Sequence, residues 1–310
     1  MSAAIRVLQG VFGRVELLRM DRPLVRHAHS QCHVLIKTGG VDASFWVQGR
    51  RCPLNRQTAV LISTWQPHAY IHHEAHGAPT VILALYIEPH WLGLIERGFS
   101  SSDAPDFFRD SCVELSRPMR TLADSLAMQM TCGERFGDDA LQAQLSELMI
   151  LVIDAFTRWR ERSIRCVRAL PYSCDGRIRR AMVLMGQSAG SCPDSDQLAA
   201  RACLSRAHFF RLFRQQTCLT PRLYSNIFRV NQAIHCLTES REPLNQLSVE
   251  LGFSTQGHFT RFFQQHTGIA PSQYRRITDV YGADTAAAVS DSARASDRLQ
   301  LPRKAGLRLS

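Results

Sequence analysis

Two groups of side chains in this 310-residue chain are spaced for chemistry. In the front half, "RHAHSQCH" carries His27, His29 and His33, and "QPHAYIHHEAH" carries His68, His72, His73 and His76. Neutral imidazole is the commonest protein ligand of divalent metals, so His27, His29 and His68 on facing strands could hold one. Such histidines can equally hydrogen-bond a small ligand or each other, and that reading is adopted here. No metal, no cofactor and no catalytic residue is assigned. Trp46, Trp65, Tyr70 and Tyr86 could line an apolar pocket with polar handles, or simply pack a core. The candidate small-ligand pocket is therefore His27, His29, Trp46, His68 and Tyr70. A regular strand would turn His72 and His73 to opposite faces.

The second group lies in the back half, where "HFFRLFRQQTCLTP" at 208–221 returns as "HFTRFFQQHTGIAP" at 258–271. An offset of fifty pairs His208 with His258, Arg211 with Arg261, Pro221 with Pro271 and Tyr224 with Tyr274. In each copy Phe209, Leu212, Phe213 and Phe259, Phe262, Phe263 fall at i, i+3, i+4 and form one buried face. The other face carries Arg206, Ala207, Phe210, Arg211 and Arg214 in the first copy. In the second it carries Gln256, Gly257, His258, Thr260, Arg261 and Gln264. Arginine can take guanine edges or phosphates and glutamine can take adenine, which is the chemistry of reading a DNA groove.

Upstream of each copy a second short helix is expected. "DSDQLAARACLS" opens with a capping-box pattern, Asp194 to Gln197, and "EPLNQLSVELGFS" places Pro243 near the first helical position. Small residues, Ala199 and Ser248, permit a close helix crossing before a turn of three to four residues. That is a helix-turn-helix arrangement, twice. Between the copies Pro221 to Glu239 reads as one helix of about 19 residues. At 1.5 Å per residue it spans roughly 28 Å, near the roughly 34 Å between successive major-groove faces. Such a rod would set two recognition helices on one side of a duplex. Residues 177–276 hold thirteen Arg, no Lys and five acids, hence +8 of the chain's net +10, a surplus suited to a polyanion.

Residues 177–276 resemble the DNA-binding domain of the AraC/XylS family of bacterial transcription regulators. The resemblance rests on Gly252-Phe253, Phe259, Arg261, Phe263, Gly268, Pro271 and Tyr274-Arg275. It implies a sequence-specific transcription regulator, an activator in preference to a repressor. The expected partners are double-stranded DNA, a small-molecule effector, a second copy of the chain as a homodimer, and RNA polymerase. It also implies a sensing or dimerising N-terminal domain, often a cupin-like β-barrel. The first copy departs from the pattern with Cys203 and Cys218 where the second has Gly252 and Gly268, and a Cβ in a left-handed conformation costs roughly 1 kcal/mol. Either the first module is less rigid or its turns differ.

The front half agrees with a β domain. From Arg14 to Ile87 short apolar runs such as "RVELLRM", "HVLIK" and "TVILALYI" alternate with turn residues, the pattern of a sandwich or barrel. A cupin metal site would need a Glu downstream of His27-x-His29, and residues 30–40 contain none. Past Pro89 the period becomes helical, through Met119, Leu122, Leu126 and Met130, then Leu141, Leu145, Leu148, Val152, Phe156 and Trp159. This helical hairpin either closes the β-domain's core or pairs with a second copy. The expected fold is α+β in two domains. Residues 1–160 form the cupin-like barrel with its hairpin, 161–176 the linker, 177–276 the all-α double helix-turn-helix domain, and 277–310 a disordered tail. No apolar run is long enough to span a bilayer and no secretory signal opens the chain, so a cytoplasmic protein without membrane partners is expected. The ten cysteines include no C-x-x-C pair, which argues against a zinc ribbon. The rival reading from another class is a metal-dependent cupin enzyme with an appended helical domain.

Overall fold

The computed structural model describes residues 3–72, 78–88, 91, 107–132, 138–157, 175–187, 194–217 and 219–280. The expectations for His73, His76, Trp159, Cys218, most of the linker and the tail past residue 280 fall outside the described residues.

Strands β1 (Ala3–Gly10), β2 (Gly13–Met20), β3 (Cys32–Gly40), β4 (Ala43–Val47), β5 (Arg50–Leu54), β6 (Thr58–Ile62), β7 (His68–Ile71), β8 (Thr80–Ile87) and β9 (Cys112–Glu114) build the front half. Helices α1 (Arg117–Cys132) and α2 (Asp138–Phe156) follow. The back half is α3 (Gly176–Gln187), α4 (Ser195–Arg201), α5 (Arg206–Thr217), α6 (Pro221–Glu239), α7 (Leu244–Glu250), α8 (Gln256–Thr267) and α9 (Pro271–Ile277), ending in β10 (Thr278–Val280). The strands form a seven-stranded sheet, β10-β1-β2-β8-β3-β6-β9, and a three-stranded sheet, β5-β4-β7. Where a closed barrel was expected, the described strands form two separate sheets. Pro53 lies within β5, an edge strand, where its missing N–H is tolerated.

The central strands β2, β8 and β3 are apolar on both faces because both faces are covered. On one face Val15, Leu17, Val34, Ile36, Leu83 and Leu85 pack with Leu126, Met130, Leu145 and Val152 of the hairpin. The hairpin thus closes the domain's own core, the first of the two alternatives. On the other face Leu18, Met20, Leu35, Ile82 and Ala84 meet Phe45, Val47, Leu54 and Tyr70 of the small sheet. Period-2 alternation splits neighbours such as Leu17 and Leu18 between these layers.

The second core does not stop at the domain boundary. It continues into Val230, Ala233, Ile234 and Leu237 of α6 and into Leu247, Phe259, Phe263, Ile269 and Tyr274 of the back half. Two further contacts cross between the domains: Asn231 donates to Ser30 Oγ at 3.0 Å, and the Trp65 ring stacks on Tyr224 with centroids 5.3 Å apart. Residues 278–280, expected to begin a disordered tail, instead pair in parallel with β1, Val7 opposite Thr278 and Gln9 opposite Val280. The Arg6–Asp279 ion pair at 2.9 Å closes that edge. β1 itself was not legible, since "AAIRVLQG" lacks a sustained alternation.

Candidate functional site

The back half is two helix-turn-helix modules on one rod. Helix α6 has the expected bounds and 19 residues, started by Pro221 in the first turn and by Thr220, whose side chain accepts from the Leu223 amide. Its first half, Tyr224 and Ile227, belongs to the core of the first module with Ile178, Met185, Leu198, Phe209 and Phe213. Its second half belongs to the core of the second module with Leu247, Phe259 and Phe263. One rigid helix therefore carries each module on a different stretch of its length. Helix α3, which packs Ile178, Ala181 and Met185 into the first module, went unread in the sequence and begins at Gly176, inside the expected linker.

Phe209, Phe213, Phe259 and Phe263 are fully buried, while Leu212 and Phe262 are half-buried at the margin of the same face. Ala199 and Ser248 are buried at the crossings of α4 with α5 and α7 with α8. The remaining cap expectations differ in detail. Asp194 is the N-cap of α4 but its side chain makes no capping bond, and Pro243 occupies the N-cap of α7, one place before the first turn. The helix α8 is capped by Thr255, whose hydroxyl accepts from the His258 amide at 3.2 Å. Ser205 serves α5 in the same way at 3.4 Å.

Arg206, Ala207, Arg211 and Arg214 of α5 and Gln256, His258 and Arg261 of α8 are exposed, and Thr260 is half-buried. Phe210, read as exposed, is half-buried: its ring meets Phe209 edge-on at 6.1 Å and lies beneath Arg206, 5.7 Å from centroid to guanidinium. Arg206 also reaches Asp196 at 3.2 Å, which ties the start of α5 back to α4. His258 Nδ1 lies 2.7 Å from Ser254 Oγ, which holds the ring at the N-terminus of α8. Arg214 shares a groove of about 310 Å³ with Arg222, Thr220 and Arg26 of the front domain.

Both turns use one geometry. Cys203 has φ 54° and Gly252 φ 71°, and the amides after them repeat the pattern: Leu204 to Ala199 O at 3.0 Å, Phe253 to Ser248 O at 2.8 Å. The second turn then holds one residue more, so the offset is 49 before it and 50 after. Cys203 thus sits in the left-handed region that glycine occupies without strain. Cys203→Gly is expected to stabilise the chain by about 1 kcal/mol, measured as a raised urea midpoint. A lowered midpoint would show that the side chain contributes packing that outweighs the strain.

Of the candidate pocket residues the fold gathers His27, His29 and His68, which are 4, 7 and 1% exposed. His27 and His68 exchange backbone hydrogen bonds at 2.9 and 2.8 Å. Burial holds the rings below the usual histidine range, His68 at about 4 and His27, His29 and His33 well below it. His33 joins the group, stacked on Tyr86 at 4.1 Å. The i, i+6 interval from His27 does not advertise that. Trp46 lies beside Ala69 on the outward face of β4, 47% exposed, because Phe45 and Val47 take the inward positions. It borders an open groove of about 780 Å³ with Arg26, Gln48, Pro67 and His68, another residue of the candidate pocket. Tyr70 is buried but its hydroxyl engages Thr80 and His72, each at 3.1 Å.

Beside the histidines lies a buried ion pair, Arg14 Nε to Glu16 Oε1 at 2.6 Å, with Arg14 3.8 Å over the Tyr86 ring. Burial pushes the Glu16 carboxyl up and Arg14 opposes it; burial also pushes the Tyr86 and Tyr274 hydroxyls up.

Comparison with known proteins matches two family models. Residues 20–149 match an AraC-like ligand binding domain and residues 198–277 a helix-turn-helix domain. An uncharacterized HTH-type transcriptional regulator of Haemophilus influenzae is 29% identical over 102 residues, 33% of this chain and 34% of that relative. The match thus spans about a third of the curated relative. Among solved structures, an apo ToxT variant of Vibrio cholerae strain SCE256 aligns with TM-score 0.52 at 10% identity, covering 85% of this chain and 96% of that one. Unsaturated fatty acid-bound wild-type ToxT of the same strain aligns with TM-score 0.50 at 11% identity, covering 85% and 94%. These likenesses establish a shared two-domain fold.

Proposed function

The chain belongs to the AraC/XylS family of transcription regulators, and from that premise we propose that it is an effector-responsive activator that reads two successive major grooves. The observation that carries this reading is the division of α6: one 19-residue helix holds a module at each end. At 1.5 Å per residue it is roughly 28 Å long, commensurate with a duplex turn of roughly 34 Å. Arg206, Ala207, Phe210, Arg211 and Arg214 address one groove and Gln256, His258, Thr260 and Arg261 the next.

The front domain is the sensor. Its core is continuous with that of the second module, so a ligand that prefers one packing of the seam biases the reading head. The groove between the domains, with Arg26 and Arg222, suits an anionic effector. ToxT, solved with an unsaturated fatty acid, offers a precedent for such an anion on this fold. Pairing of two copies, a contact with RNA polymerase and a cytoplasmic location belong to the same reading. No helix among the described residues is long and apolar enough to cross a membrane.

Sites selected from random duplexes by the full chain, followed by footprinting of Arg261→Ala, test the proposal. The variant is expected to relax preference at particular bases, costing about 1–3 kcal/mol there. A uniform loss over all sequences would reduce Arg261 to a phosphate contact. Equal affinity of the wild-type chain for every duplex would end the reading as a specific regulator.

A further inference from the structure

Reading DNA leaves the buried histidines unused. Their ring centroids lie 4.4 Å (His27–His68), 4.9 Å (His27–His29) and 4.9 Å (His29–His68) apart. One ring nitrogen of each falls within 4.8 Å of the others. We propose that His27, His29 and His68 form a binding site for a divalent transition-metal ion of the zinc class, set at the seam between the sensor and the DNA-binding domain.

Two observations support it independently. The first is orientation: His27 Nδ1 lies 2.6 Å from Val25 O and His68 Nδ1 2.9 Å from Gln66 O. A carbonyl can only accept, so Nδ1 of each ring carries the proton and Nε2 keeps its lone pair. Backbone carbonyls orient metal-ligating imidazoles in this way. The second is unsatisfied valence: Nε2 of His29 and His68 is buried with no hydrogen-bond partner among the described residues. Buried polar atoms are nearly always paired, and a metal ion supplies the missing partner.

The donor set selects the class of ion. Three neutral imidazoles suit zinc, copper, nickel or iron(II), whereas magnesium and calcium take oxygen ligands. Zinc–nitrogen bonds of about 2.0–2.1 Å place tetrahedral ligand atoms roughly 3.4 Å apart, so each ring moves by about 1 Å or less to close on the ion. A space of about 10 Å³ borders His27 and His29 on the side of Asn226, Val230 and His266, room for about one water as the fourth ligand. His33, both of whose ring nitrogens are buried without partners among the described residues, lies 5.2 Å from His29 and 5.5 Å from His68. Because Asn226 and Val230 belong to α6, a loaded site fastens the sensor to the rod that carries both modules.

The test uses the full chain, stripped with a chelator and titrated with Zn²⁺ against a chromophoric competitor. One equivalent per chain is expected. His29→Gln and His68→Gln should each weaken it roughly 100-fold or more, since loss of an outer-shell partner alone costs up to about 100-fold. His72→Gln, outside the trio, should leave the affinity unchanged. Zn²⁺ should raise the melting temperature of the wild type and not of the two ligand variants. Circular dichroism separates ligand loss from misfolding, and Co²⁺ loading of the wild type provides a readout free of substitutions: a tetrahedral spectrum without a thiolate charge-transfer band. Absence of stoichiometric binding, its retention at full affinity in both His29→Gln and His68→Gln, or a thiolate band in the Co²⁺ spectrum would each overturn the site. No DNA enters these measurements, so their failure and the failure of the regulator reading are distinguishable.

Discussion

Replacing Glu16 with alanine is expected to destabilise the chain by about 3–5 kcal/mol, because it strands the Arg14 guanidinium in a desolvated interior. The two side chains are 1 and 9% exposed and meet at 2.6 Å, with Tyr86 stacked beneath the guanidinium. Arginine cannot shed its proton to escape burial, so the unpaired charge must drag in water or expel itself from the seam. Tyr274 of α9 is buried near the same pair. The loss should therefore be felt at the junction with the second module as well as in the sheet. Urea denaturation followed by fluorescence measures it, through Trp65 stacked across the seam. A matched apolar pair, Arg14→Met with Glu16→Leu, is expected to be neutral or to stabilise by up to about 4 kcal/mol, since neither charge then needs desolvating. A single-variant loss below about 1 kcal/mol would mean that water reaches the pair, as it does for surface ion pairs.

Phe263→Ala is expected to cost about 3–5 kcal/mol and to silence one half of the operator. The ring is fully buried, edge-on to Tyr274 at 5.5 Å and 5.9 Å from Phe259. Its removal opens a cavity where α8, α9 and the sensor's sheet share one core. Phe213→Ala should act alike on the first module, whose core is separate and joins α6 at Tyr224 and Ile227. Footprints of the two variants should be complementary, each retaining the half read by the intact module. Loss of both halves in each variant would show one cooperative unit where two are argued here.

Much of the reading head was legible because its determinants are local. The buried Phe pairs, the Pro221 start and the small crossing residues Ala199 and Ser248 each act within one or two helical turns, and periodicity reports them directly. Even the departure at Cys203 could be flagged from sequence, although whether the turn would keep its left-handed geometry could not. The capping box at Asp194 failed because a side chain that can cap need not do so when water competes for it. The outward face of Trp46 was not legible, because aromatic character does not reveal which face of a strand a residue occupies until the register is known.

The sequence by itself determined the two modules, their spacing along a 19-residue rod and the α+β class, since short windows of turn chemistry and hydrophobic period specify each. Tertiary structure alone decided that the sensor and the second module share a core, that residues 278–280 return to β1, that Arg14 and Glu16 are buried, and that His29, His33 and His68 meet. The physical reason is that these outcomes depend on which surfaces, as far apart as Val7 and Thr278, exclude water from one another. Hydrophobic burial is non-directional, so no short stretch of chain records its distant partner.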